Sequence, residues 1–309
     1  CGGAIPPRLI ADYAIPDHLL VAKVRCARMI SPRDHRVDIP IDDGFVGMVD
    51  RDVFDEWLRE RARSHGAVRR QGVFERVQHD ASGQVQVVYT PHEGKALPAD
   101  APAPASVTVS ARVVVGADGA RSKVARQEVT GGEPAPCVFA YHEIVRRPEQ
   151  APAGYDPSRC DVVYDARCSP DFYGWVFPHG DTLSIGTGSA DKGFSLRTAT
   201  AALREASGMA GAETVRREGA PLPMKPLARW DNGRDVVLAG DAAGVVAPAS
   251  GSSFNASSMP TPRVGNMSVA PTPWASMTAS RASRSRYAAR IGSRPARKHS
   301  NRSCSLFGT

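Results

Sequence analysis

The sequence predicts an α/β fold with an α+β insert, in which parallel-strand segments flank an antiparallel β-sheet lobe. Three observations carry this. "VVVGADGARSKVAR" (Val113–Arg126) reads as a buried apolar strand, a glycine-bearing turn and the start of a helix. "DVVLAGDAAGVVAPASG" (Asp235–Gly251) repeats that order. Between them, from about Cys137 to Leu227, the chain is aromatic and turn-rich. It holds strand-like runs in "CDVVYDA", "YGWVFP" and "TLSIGTG" and a short helix near Leu196–Ser207. The predicted division is 1–136 for the first part of the parallel-strand domain, 137–227 for the antiparallel lobe, 228–251 for a return segment and 252–309 for a basic tail.

In "MVDRDVFDEWLRERARSHGA", Val53, Phe54, Trp57, Leu58 and Ala62 recur at helical spacing, with Asp50 placed to cap the start and Gly66 the end. "GQVQVVYT" (Gly83–Thr90) and "SVTVSARVVVGADGA" (Ser106–Ala120) alternate or run apolar and β-branched and read as strands. The Pro/Ala-rich stretch between them reads as a surface loop.

The net charge of +7 suggests a polyanion partner, but it is unevenly placed. Residues 252–309 hold nine of the 39 basic residues and no Asp or Glu, which leaves 30 basic against 32 acidic residues ahead of them. The body is near neutral, so nucleic acid is not expected as a partner. The six cysteines form no CxxC pair and no zinc spacing, so no metal is expected and reduced thiols in the cytoplasm are. No apolar run reaches the roughly 20 residues of a membrane-spanning helix, so any membrane contact would be peripheral.

At the first turn, Gly116, Asp118 and Gly119 permit a sharp bend and a close backbone approach. A tight turn capped by Asp118 explains these residues equally well. At the second, Gly240 and Asp241 end the strand Val236–Ala239; a carboxylate there can accept a sugar hydroxyl, and the next helix would offer free N–H groups. His18, His142 and His179 show no partner pattern and read as ordinary surface or core histidines.

"GADGARSKVAR" and "LAGDAAGVVAPASG" together resemble the second and third flavin motifs of FAD-dependent oxidoreductases related to aromatic hydroxylases. Within that group the chain resembles the geranylgeranyl reductases, in the chlorophyll, bacteriochlorophyll or geranylgeranyl diphosphate branch. "CGGAIPPRLI", "VDRDVFDEWLRERA" and "PDFYGWVFPHGDTLSIGTG" carry this, and the resemblance spans residues 1 to about 251. It implies an incomplete FAD-binding Rossmann-like domain with an antiparallel substrate lobe. By resemblance Cys1, Gly2 and Ala4 line the flavin, and Arg51, Asp118, Gly240, Asp241 and Gly251 help hold it. Cys1 is also the candidate for positioning or proton delivery. Tyr173, Trp175, Phe177 and Pro178 wall a long apolar cavity, which Gly186 and Gly188 keep open. The implied reaction is reduction of carbon–carbon double bonds through FAD and NADPH, on geranylgeranyl diphosphate or a pigment ester, at the edge of a photosynthetic membrane.

Two departures qualify this. The Gly-rich dinucleotide turn and its acidic partner are not in the sequence, and where the family continues past Gly251 with glycine in an apolar helix, Ser252, Ser253 and Phe254 stand instead. The tail reads as disordered, either the product of a shifted reading frame near codon 252 or a basic segment for polyanions. The rival readings are a flavin aromatic monooxygenase and a non-enzymatic or inactive fragment.

Overall fold

A computed structural model describes residues 2–41, 44–92, 104–247 and 252–253. The tail beyond Ser253, and the reading of it as disordered, lie outside the described residues.

The first segment holds β1 (Ala4–Ile5), α1 (Pro7–Asp12), β2 (Ala22–Val24), β3 (Cys26–Ile30), β4 (Arg36–Pro40), β5 (Val46–Met48) and α2 (Arg51–Ser64). Then come β6 (Gly72–His79), β7 (Val85–Pro91), β8 (Val107–Ser110), β9 (Val114–Gly116) and α3 (Lys123–Glu128). The middle supplies β10 (Cys137–Arg146), β11 (Arg159–Val163), β12 (Gly174–His179), β13 (Thr182–Ser189), α4 (Leu196–Ala206) and β14 (Thr214–Pro223). It is followed by β15 (Val236–Leu238), β16 (Val246–Ala247) and β17 (Ser252–Ser253).

The fold is mixed α/β with a large antiparallel component, as the sequence predicts. The largest sheet among the described residues runs β14-β10-β13-β12-β11-β3-β4. It therefore takes in two strands from residues 26–40, outside the predicted 137–227 lobe. Its partner strand explains why: β3 lies parallel to β11, with Cys26 opposite Arg159 and Ile30 opposite Val163. The β3–β4 hairpin is fixed in register by Arg28 directly opposite Asp38, a two-point ion pair at 2.6 and 2.7 Å.

Strand alternation gives this sheet two unlike faces. One carries Val145, Val176, Leu183 and Ile185, which pack with Leu203 of α4, Cys168 and Met209. Helix α4 docks there because Ala199, Thr200 and Leu203 share its buried side, and Arg204 reaches Glu143 of β10 at 2.5 Å. The other face carries His142, Trp175, Phe177, Ser184, Gly186 and Gly188.

β9 and β15 pair in parallel, Val114 to Val236 through Gly116 to Leu238. A separate core of Val77, Val85, Val124, Val129 and Val245 surrounds them. "SVTVSARVVVG" thus divides into β8 and β9, which belong to different sheets.

Two local expectations are corrected. Among the described residues no regular helix follows Gly240: Gly240–Ala243 makes a single 3₁₀ turn that Gly244 closes at φ +70. The chain turns back there against the Lys225 carbonyl, leaving no room for even a Cβ. Asp50 does occupy the N-cap position of α2, but its side chain makes no capping bond. The apolar side of α2 is only half-buried, with Val53 57% exposed, because no residue of the helix is fully covered.

Candidate functional site

The two glycine turns of the sequence are brought side by side. Gly116 and Leu238 end the parallel pair β9–β15, and the Ala239 amide donates to the Gly116 carbonyl. Both turns therefore sit at the carboxyl ends of adjacent parallel strands, where open α/β sheets bind ligands. Their two aspartates differ. Asp118 accepts from the Lys123 and Val124 amides at 2.7 and 3.2 Å and from the Ser122 hydroxyl at 2.5 Å, so its carboxylate caps α3. Asp241 is half-buried and its carboxylate has no hydrogen-bond donor among the described residues. Burial pushes its carboxyl above the usual range, with the Arg51 guanidinium opposing. Around Gly240, at φ +60, the space that a Cβ would fill is open.

Arg51, the first residue of α2, is held in a two-point ion pair with Asp55 at 2.7 and 2.9 Å and is half exposed. It reaches Asp241 only through its field. Gly2 lies against the Phe177 ring, where a Cβ would stand 3.0 Å from the ring carbons, and Ala4 packs in the same cluster as Phe177, Val24 and Met48. Cys1 and Gly251 lie outside the described residues.

On the sheet face opposite α4, Tyr173, Trp175 and Phe177 follow one another at every second residue, as one face of a strand requires. Tyr173 meets Trp175 edge-on at 6.1 Å, and Trp175 meets Phe177 at 6.3 Å. Beside them run Gly188, Gly186 and Ser184 on β13, but His142, Trp175, Val138 and Phe172 fill the space over the two glycines, so these do not keep a cavity open. Burial pushes the Tyr173 phenol well above its ordinary range, so it is a neutral part of this wall. Pro178 does not belong here: alternation turns it to the other face, opposite Leu183 of the α4-side core.

His142 and His179 are both buried and His18 is exposed. Burial holds His142 down to about 4 and lowers His179 as well, so both rings are neutral at pH 7. His142, which from sequence reads as an ordinary histidine with no partner pattern, has partners on both ring nitrogens. Its one signal is a polar side chain at the inward position of "VFAYHEIV", between Ala140 and Ile144.

A cavity of about 600 Å³ opens on the α4 side of the sheet, lined by Ile30, Tyr155, Val163, Val176 and Leu203. Its arginines are already paired, Arg159 with Asp161 and Arg167 with Asp165. Size alone thus does not mark the site. The crevice at Asp241 is only about 10 Å³, bounded by Ala120, Ser122 and Leu227. Among the described residues, no group of three or more His, Cys, Asp or Glu could hold a metal ion, and no helix is long and apolar enough to cross a membrane.

The sequence matches the family described as lycopene cyclase protein over residues 34–308. The chain belongs to the lycopene cyclase protein family. This family member is also a homologue of proteins named geranylgeranyl diphosphate reductase, as the motif resemblance predicts. It is 57% identical to that of Rhodobacter capsulatus over 251 residues, covering 81% of this chain and 61% of the relative. To the chloroplastic reductase of Oryza sativa subsp. japonica it is 35% identical, over 81% of this chain and 54% of the relative. The chain spans between half and two thirds of the length of these relatives. Among solved structures, a geranylgeranyl bacteriochlorophyll reductase-like protein from Thermoplasma acidophilum superposes at TM-score 0.68 with 19% identity, over 82% of this chain and 64% of the other. A flavin-dependent brominase superposes at 0.59 with 17% identity, over 76% and 60%. These likenesses show that the lycopene cyclase family member shares the fold of such proteins.

Proposed function

We propose that this protein is the flavin- and substrate-holding part of an oxidoreductase that saturates the double bonds of a geranylgeranyl chain. The observation that carries the flavin half of this reading is the pair of glycine turns at the carboxyl ends of β9 and β15, with Asp241 half-buried and lacking a donor. A half-buried carboxylate without a protein donor has acceptor capacity to spare, and a sugar-alcohol hydroxyl can use it. The site therefore fits FAD at its ribityl end. Gly240 leaves room for it, Arg51 adds positive field, and Gly2 and Ala4 border the aromatic wall. Asp118, engaged as a helix cap, has no lone pair in evident need.

Bound there, FAD supplies hydride chemistry, with NADPH as the source of electrons; each double bond takes up one hydride and one proton. The chain's own residues do the rest. Tyr173, Trp175 and Phe177 form an apolar wall that takes prenyl methylenes out of water, at about 0.8 kcal/mol each. The two glycines beside them are themselves covered by His142, Trp175, Val138 and Phe172, so the aromatic surface is what a prenyl chain would meet. That geometry suits a flexible polyprenyl tail, either as the diphosphate or as a pigment ester. The apolar character of the aromatic ladder favours the reductase over the monooxygenase. We place the protein in the cytoplasm, at a photosynthetic membrane surface where such substrates partition.

The test is a flavin titration of the purified chain, followed by flavin fluorescence. Saturable binding that weakens at least tenfold in Asp241→Ala is expected, since a charged hydrogen bond contributes roughly 1.5–3 kcal/mol. Equal affinity in the variant, or no saturable binding by the parent chain, overturns the assignment. Incubation with geranylgeranyl diphosphate and NADPH, read by the mass gained per reduced double bond, then tests the substrate.

A further inference from the structure

Glu218, His142, Gly186 and Trp175 stand in one row across four neighbouring strands. Glu218 of β14 is opposite His142 of β10, His142 is opposite Gly186 of β13, and Gly186 is opposite Trp175 of β12. Residues directly opposite on antiparallel strands project from the same face. Gly186 puts no side chain between its neighbours, so the His142 and Trp175 rings approach to 6.1 Å between centroids. Ser184, two residues earlier on β13 and so on that same face, reaches into the gap.

Three hydrogen bonds result. The Trp175 indole N–H donates to Ser184 Oγ at 3.1 Å, Ser184 Oγ meets His142 Nδ1 at 2.9 Å, and His142 Nε2 meets a Glu218 carboxylate oxygen at 3.1 Å. Trp175, His142 and Ser184 are buried, Ser184 completely. The Glu218 side chain is 42% exposed and also holds Arg216 at 2.5 Å.

Donor chemistry gives this chain one direction. An indole N–H can only donate and a carboxylate can only accept. The proton of a neutral His142 must then sit on Nε2, facing Glu218, which leaves Nδ1 to accept the Ser184 hydroxyl proton. Ser184 in turn keeps a lone pair for the indole. Every donor in the row has one acceptor.

We propose that His142 is a positioning residue of the substrate wall: with its tautomer set by Glu218, it orients the Ser184 hydroxyl that pins the Trp175 indole. This rests on the reading of Trp175 as part of the wall that faces the prenyl chain. His142 touches no reacting atom; it acts through Ser184.

The experiment uses the whole chain with ¹⁵N-labelled histidine and tryptophan side chains. At pH 7 the His142 ring is expected as the Nε2–H tautomer, and an Nδ1–H tautomer overturns the proposal. The Trp175 indole N–H is expected to exchange with solvent at least tenfold faster in His142→Leu. In His142→Asn, whose amide oxygen can replace Nδ1 as acceptor, it should stay near the parent rate. In a Ser184→Ala background, His142→Leu should add nothing further, because His142 acts only through the hydroxyl. An equal increment in both backgrounds means that His142 merely fills space, and the proposal falls. Should His142→Leu not fold, Glu218→Ala at its half-exposed position decides: a mixture of tautomers supports the row, and an unchanged Nε2–H ring overturns it. None of these readouts involves flavin or turnover. A failure of the substrate reading shows instead as unaltered geranylgeranyl diphosphate binding in Trp175→Ala.

Discussion

A methyl group at Gly186 would stand 2.4 Å from His142 Cβ, 2.5 Å from the Tyr141 carbonyl oxygen and 2.6 Å from Trp175 Cζ2. One of these neighbours is backbone and the two others are held in the buried row, so none can yield cheaply. Gly186→Ala is therefore expected to cost about 1–3 kcal/mol in urea unfolding. Gly211→Ala, where nothing lies within 4 Å, should be neutral or slightly stabilising. The same row sets a dependence on acidity. Burial holds His142 at about 4, with the Glu218 carboxylate opposing. Between that value and about 6.5 the unfolded chain carries a proton on this ring that the native chain lacks. Its contribution is thus complete above about pH 6.5 and is lost as pH falls toward 4. Urea midpoints measured across this window should fall more steeply for the parent chain than for His142→Asn. Parallel curves would show that the ring is not neutral in the native state.

At the scale of elements, α3 is tied down by side chains before its first turn. Asp118 takes two of its orphan amides and Ser122 Oγ accepts from the Ala125 amide at 2.8 Å. Asp118→Ala is expected to cost about 1 kcal/mol of stability while leaving the flavin affinity of the folded protein unchanged. A loss of flavin affinity without a loss of stability would return Asp118 to the cofactor. Strong local patterns were legible in the sequence: the apolar stripe of α2, the alternation of β12 and β13, the apolar run ending at Gly240. β2 and β5 were not, because strands of three residues show no period. β6 lay in a polar stretch in which Val77 is the one fully buried residue. The site divides in the same way. Asp241 and the aromatic ladder could be placed from motif and alternation. The row from Glu218 to Trp175 could not, since it depends on how four strands register against one another, which no single stretch encodes. Pro178 shows the converse: it belongs to the motif, yet alternation sends it to the other face.

Across the whole molecule, the parallel pair β9–β15 is covered unevenly, with Val114, Val236 and Leu238 buried. Parallel strands are ordinarily covered on both faces, yet Val115 is 59% exposed and β9 has only β15 beside it among the described residues. An uncovered apolar edge invites pairing with another chain. Sedimentation should show association that grows with protein concentration and lessens in Val115→Lys. If the variant associates as strongly, another surface is responsible. The large sheet has a consequence of a different kind, in how the chain is made. Strand β3 closes onto β11, so Cys26–Ile30 cannot find its partner until Arg159–Val163 has been synthesised. At roughly 5–20 residues per second, that wait is on the order of ten seconds. Throughout it the β3–β4 hairpin stands outside the ribosome with one edge open, and this hairpin is where a nascent-chain chaperone would have to hold.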